Sequence, residues 1–147
     1  MTVAPSVARE YLLEAPVEAV FDAWTDASAL LQWWCAGNAH ATHADLDVRQ
    51  GGRYEIRMSP GPAGTPQIVR GLYVKVERPH RLVMTWRAEG TPHDNGDDSL
   101  LTVELFAHGR GTRLTLLHER LPAASPPSYA QGWAHVLHAL SRFLGPR

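Results

Sequence analysis

Apolar residues first recur at helical spacing just after Pro16. Val17, Val20, Phe21 and Trp24 fall at i, i+3, i+4 and i+7, one stripe of a short helix. The stretch before it, Val7 to Glu14, reads as a strand closed by Ala15-Pro16, and Pro16 suits the first helical position, where a missing N–H costs nothing. Asp26 is placed to cap a second short helix running through Trp34, with Leu30, Leu31, Trp33 and Trp34 as its apolar content. From residue 42 the period falls to two. Thr42, Ala44, Leu46 and Val48 alternate with His43, Asp45, Asp47 and Arg49, the pattern of a half-buried strand.

Further strands follow the same rule. Tyr54, Ile56 and Met58 alternate with charged residues after a Gly51-Gly52 turn, and the Pro/Gly-rich stretch 59–66 reads as a loop. Residues 67–77 form a longer strand, which Arg78-Pro79-His80 turns into residues 81–87, where Leu82, Met84 and Trp86 share a face. A polar loop over 89–98 leads to Leu101, Val103 and Leu105 on one face. The Gly109-Arg110-Gly111 hairpin turn then leads to Leu114, Leu116 and His118 on one face of the last strand. After residues 122–127 a long helix carries Ala130, Trp133, Leu137, Leu140 and Leu144 as its stripe. It starts at a Ser128/Gln131 capping box or at the rival Ser125, and stops at Gly145-Pro146. Loops this short pair consecutive strands antiparallel. The expectation is an α+β fold in one domain over 1–147, with a curved antiparallel sheet and helices on one side.

Composition changes this picture little and narrows the function. The chain has 147 residues, 44% hydrophobic and 20% charged, which is the globular range. Lys and Arg number 14 against 15 Asp and Glu, so no electrostatic footprint for nucleic acid or an acidic membrane is present. The N-terminus has no basic region followed by an apolar stretch, and no apolar run approaches a spanning length, so a cytoplasmic protein is expected. The single cysteine, Cys35, excludes an intramolecular disulfide and reads as a small structural residue rather than a nucleophile.

Among the eight histidines, His40 and His43 lie near Asp45 and Asp47, ligand types that suit zinc. Strand alternation puts His43, Asp45 and Asp47 on a polar face, however, and their spacing matches no metal motif, so no metal is expected. Residues 94–98 look calcium-like but lack an EF-hand's alternating ligands and closing glutamate, and turn chemistry explains them. His135 and His138 fall away from the apolar side of the last helix. His118 is different, because it shares a face with Leu114 and Leu116 and points inward. A satisfied core histidine, a polar anchor for a ligand and a general acid/base are the three readings of such a residue. Trp33, Trp34, Trp86 and Trp133 suit an apolar pocket and an ordinary core equally. No nucleotide-binding glycine loop, G-x-S-x-G elbow or H-E-x-x-H helix is present, and no cofactor is expected.

The run R-E-Y-L-L-E-A-P-V-E-A-V-F-D-A-W-T-D at 9–26 is followed by L-L-Q-W-W at 30–34 and D-V-R-Q-G-G at 47–52. G-L-Y-V-K-V-E-R-P-H-R-L-V-M-T-W at 71–86, G-T-R-L-T-L-L-H at 111–118 and G-W at 132–133 complete the series. In this order and over nearly the whole chain, it resembles the bacterial homologues of the C-terminal domain of the heat-shock-protein-90 ATPase activator. These belong to the START-like (SRPBCC, birch-pollen-allergen-like) superfamily. The resemblance implies a helix-grip fold, in which a seven-stranded antiparallel sheet wraps the long C-terminal helix, often around an apolar ligand cavity. On that basis the expected function is binding of an apolar or aromatic small molecule between sheet and helix. Trp33, Trp34, Tyr54, Met58, Trp86, His118, Trp133 and Leu137 are the expected lining, with no catalytic residue assigned. Two alternatives stand. One is a START-like cyclase, dehydratase or hydrolase using His118 as acid/base, with Tyr54, Tyr73, Thr85 and Thr115 as candidate polar neighbours. The other is a chaperone ATPase-activator-like protein-interaction domain. A homodimer is open only on the general ground that most soluble oligomers are symmetric homo-oligomers.

Overall fold

The computed structural model describes residues 6–36, 39–59, 67–89, 97–121 and 126–145. Residues 60–66 and 90–96 of the expected loops, residues 122–125 ahead of the last helix and the side chain of Ser128 lie outside them.

The chain runs β1 (Val7–Leu13), α1 (Val17–Thr25), α2 (Ala27–Trp33), β2 (Cys35–Ala36), β3 (Ala39–Leu46), β4 (Arg53–Met58), β5 (Gln67–Glu77), β6 (Arg81–Glu89), β7 (Ser99–His108), β8 (Gly111–Glu119) and α3 (Pro126–Leu144). The strands form one antiparallel sheet in the order β1-β8-β7-β6-β5-β4-β3-β2. Seven of them are the expected strands, and the eighth is the two-residue β2 at the edge, paired Cys35↔His40 and Ala36↔Ala39. This is the α+β helix-grip arrangement, a curved sheet closed over a C-terminal helix. Helix α3 contacts both β1 and β2, the two ends of the strand order, so it bridges the sheet's two edges.

Most local expectations hold for the reasons that motivated them. Val17, Val20, Phe21 and Trp24 are all buried on one side of α1. The Asp26 carboxylate accepts from the Ser28 N–H (3.0 Å) and hydroxyl (2.8 Å), and these bonds hold its pKa below the ordinary carboxylate value. Pro16 sits one position earlier than expected, as the N-cap, with extended ψ. Gly109 closes the β7–β8 hairpin at φ +59°, and Gly145 ends α3 at φ +66°. Helix α3 begins at Pro126, the position favoured by the Ser125 start.

Strand β3 departs from the alternation. Its pairing with β4 shifts between Ala41 and His43, so Ala41 is buried and Thr42 exposed, the reverse of the period-two expectation. A bulge at this point inserts an extra residue and flips the strand's facing. The Thr42 hydroxyl donates instead to the Arg57 carbonyl at 3.3 Å.

Candidate functional site

Four elements carry the aromatic residues inward. The α1 stripe supplies Trp24, the end of α2 supplies Trp33 and Trp34, β6 supplies Trp86, and α3 supplies Trp133. All five are buried and form one contiguous cluster. Trp24 meets Trp33 edge-on at 5.0 Å between centroids, and Trp34 lies 5.8 Å from both Trp86 and Trp133. Trp86 and Trp133 are 5.2 Å apart. These separations are those of direct ring contact, so the indoles fill the space between sheet and helix with one another. Tyr54, Met58 and Leu137 are buried in the same core.

His118 is fully buried at the centre of this cluster, with the Trp86 ring 5.1 Å away. Its hydrogen bonds can be assigned from donor chemistry alone. An indole nitrogen only donates, so Trp133 Nε1–H donates to His118 Nδ1 at 3.0 Å. The remaining ring proton is therefore on Nε2, which donates to Ser99 Oγ at 2.7 Å. The Ser99 hydroxyl in turn donates to the Trp86 carbonyl at 3.1 Å. Burial pushes the His118 pKa down to about 3, so the ring is neutral at physiological pH. Both ring nitrogens are engaged within the chain. Of the three readings of this residue, the satisfied core histidine is the one its bonding fits. The orienting hydrogen bond expected toward a ligand goes to Trp133 and Ser99 instead.

The polar set considered for a catalytic role does not gather around His118. Tyr54 and Tyr73 pack together, ring centroids 5.4 Å apart, and the Tyr54 hydroxyl donates to the Thr85 carbonyl at 2.5 Å. Burial raises both phenol pKa values, the largest contribution in each case. Thr115 alternates with the buried Leu114 and Leu116 and so faces the other side of the sheet. Besides Trp86 and Trp133, His118 meets Ser99 and Tyr129, the latter at 4.9 Å between ring centroids and accepting from Trp86 Nε1 at 3.2 Å. Both were legible in outline. Ser99 extends the inward series Leu101, Val103, Leu105 by one step, and Tyr129 precedes Trp133 by one helical turn.

Trp33 Nε1 donates to the Ala23 carbonyl at 3.0 Å, whereas Trp24 Nε1 is buried with no hydrogen-bond partner among the described residues. A narrow gap lined by Phe21, Trp24, Leu82, Val103 and Leu105 is too small to admit water. The cluster reaches the surface at its α3 end, where Tyr129, Ala130 and Cys35 are only half-buried. His40, His43, Asp45 and Asp47 are exposed, as are His135 and His138; His138 meets the Tyr11 hydroxyl at 3.3 Å. No described helix is long and apolar enough to cross a membrane.

Solved bacterial proteins share this architecture. A protein of Chromobacterium violaceum is 26% identical, with 97% of this chain and 98% of that one covered at a TM-score of 0.85. The protein CalU16 of Micromonospora echinospora is 28% identical, with 96% and 76% covered at a TM-score of 0.69. An AHSA1-like protein of Aeromonas hydrophila, 23% identical with 95% and 92% covered at a TM-score of 0.78, shares the fold. No curated protein matches the sequence. The family model described as activator of Hsp90 ATPase homolog 1-like protein matches residues 14–145. With that match spanning both α1 and α3 and every strand after β1, the chain belongs to the AHSA1-like family.

Proposed function

We propose that this domain binds an apolar or aromatic small molecule against the tryptophan cluster between sheet and α3, without catalysing a reaction on it. The convergence of all five tryptophans in one cluster carries this reading. Indoles offer large, flat and weakly polar contact area, and an N–H that a ligand acceptor can use. The unpaired Trp24 Nε1 supports a ligand carrying such an acceptor. Because the rings already touch, entry requires side chains to move aside, and the half-buried Tyr129 at the start of α3 is the nearest one to do so. The internal engagement of both His118 nitrogens supports binding over acid/base catalysis.

Burial of one aromatic ring supplies a few kcal/mol at ~25 cal/mol per Å² before association costs, so micromolar affinity is expected. Intrinsic fluorescence should respond saturably to flat polycyclic, phenolic or fatty-acyl compounds. Trp34→Leu keeps the site apolar and removes no hydrogen bond seen in the structure, and it should weaken binding about tenfold, the effect of ~1.4 kcal/mol. A folded, unoccupied protein that gives no saturable response to any of them would falsify this reading. The second reading is a protein-interaction domain of the kind the family description names, an activator of the Hsp90 ATPase. The filling of the interior by indoles favours it, and the same absence of response would promote it.

A further inference from the structure

On the face of the sheet turned away from α3, four charged residues stand side by side at one register level. Asp45 on β3 pairs with Glu55 on β4, Glu55 with Arg70 on β5, and Arg70 with Arg87 on β6. Tyr54, Ile56, Val69, Trp86 and Ala88, chain neighbours of the last three, are buried and Asp45 is itself exposed, so these four point outward. Like charges directly opposite one another destabilise a sheet, and this row holds two such pairs, acidic then basic. Same-chain partners offset part of the cost: Arg57 for Glu55, Glu89 for Arg70, and Asp98 for Arg87 at 3.4 Å. These pairs are partly solvent-exposed, and pairs of this kind contribute little to stability. Asp45 has no ion-pair partner among the described residues.

A row ordered acid, acid, base, base is complementary to itself under a two-fold rotation. We propose that this face is the contact surface for a second copy of the chain, in an isologous homodimer. The axis lies in the plane of the face, parallel to the strands, and passes between Glu55 and Arg70. It sets Glu55 of each copy against Arg70 of the other, and Asp45 against Arg87. Leu72 and Val74, 43% and 41% exposed on β5, supply the apolar centre that such an interface needs. The β5–β6 register shifts between Tyr73 and Lys75, and a surface depression of about 500 Å³ on this face is lined by the row itself together with Arg53, Leu72 and Thr85. It gives room for the long side chains of the second copy. A net charge of only −1 leaves almost no long-range repulsion between copies.

The test is sedimentation equilibrium of the full chain from micromolar to near-millimolar concentration, at low and at high salt. A dimer is expected at low salt, weakened as salt rises. Glu55→Arg and Arg70→Glu, each confirmed folded by circular dichroism, set like charges across the axis and should each raise the dimer dissociation constant at least about tenfold. The double variant restores opposite charges at every contact and should recover dimerisation. A monomer at every concentration overturns the proposal, including one that binds a zwitterionic small molecule or an unrelated protein on this face. A dimer indifferent to both reversals, or a double variant no better than the singles, overturns it equally.

Discussion

His118 shows how a single residue's environment decides between chemistry and support. A neutral imidazole inside an aromatic core is stable only if both nitrogens are paired, and here Trp133 and Ser99 pair them. The consequence is a signed pH dependence. The ring's pKa falls from 6.5 to about 3 on folding because burial disfavours the charged form. Below 6.5 the unfolded chain takes up the proton and the folded one does not. This residue's contribution is therefore complete above pH 6.5 and is lost as pH falls toward 3, at about 1.4 kcal/mol per pH unit. Urea midpoints of the wild type and of His118→Phe should converge as pH drops from 7 to 4, since the phenyl ring does not titrate. Parallel curves would mean that the folded protein protonates His118 readily. Trp133→Phe isolates the other end of the network: it keeps the ring, leaves Nδ1 without its donor, and should cost about 1–3 kcal/mol at pH 7 in the same measurement.

At the scale of elements, two glycines make opposite predictions. Gly71 lies in β5 where the Tyr54 hydroxyl passes to the Thr85 carbonyl, and a Cβ there would overlap that carbonyl oxygen and sit 2.7 Å from Thr85 Oγ1. Gly71→Ala should force β5 and β6 apart and cost about 1–3 kcal/mol. Gly132 is in α3, and an added methyl group there would have no neighbour within 4 Å, so Gly132→Ala should stabilise by about 0.5–1 kcal/mol through helix propensity. Thermal melts of the two variants should move in opposite directions, and a neutral Gly71→Ala would show that the strands have slack there. Most elements were legible because each obeys one period: the α1 stripe, the β4 and β7 alternations and the Asp26 cap needed no tertiary information. The bulge at Thr42, the shift in the β5–β6 register and the two-residue β2 were not. Each is set by what lies across the sheet, and none changes the local composition enough to signal itself. The site was legible to a similar depth. Alternation placed His118 inward, yet its partners Ser99 and Trp133 lie 19 and 15 residues away, and only the folded register brings them to it.

For the molecule as a whole, α3 has a role beyond covering a sheet face. Its stripe of Trp133, Val136, Leu137, Leu140 and Leu144 is buried, and the helix contacts β1 and β2, strands at opposite ends of the sheet. Arg9 on β1 donates to the Ala130 carbonyl at 3.1 Å, tying the first strand to the last helix. The tryptophan cluster spans the same junction, with rings from α1, α2, β6 and α3 in mutual contact. Neither half of the chain can complete this core without the other, so unfolding should be a single cooperative event. In urea, the loss of tryptophan fluorescence shift and the loss of far-ultraviolet ellipticity should share one midpoint. Leu140 is wholly buried, and Leu140→Ala should lower that midpoint by the equivalent of about 2–5 kcal/mol while keeping the two probes coincident. Leu137→Asp places an unpaired carboxylate on the same buried stripe and should leave no cooperative transition at neutral pH. Two separated midpoints in the wild type would instead mean that α3 peels from a sheet able to stand alone. In that case the tryptophans report on docking of the helix rather than on the fold.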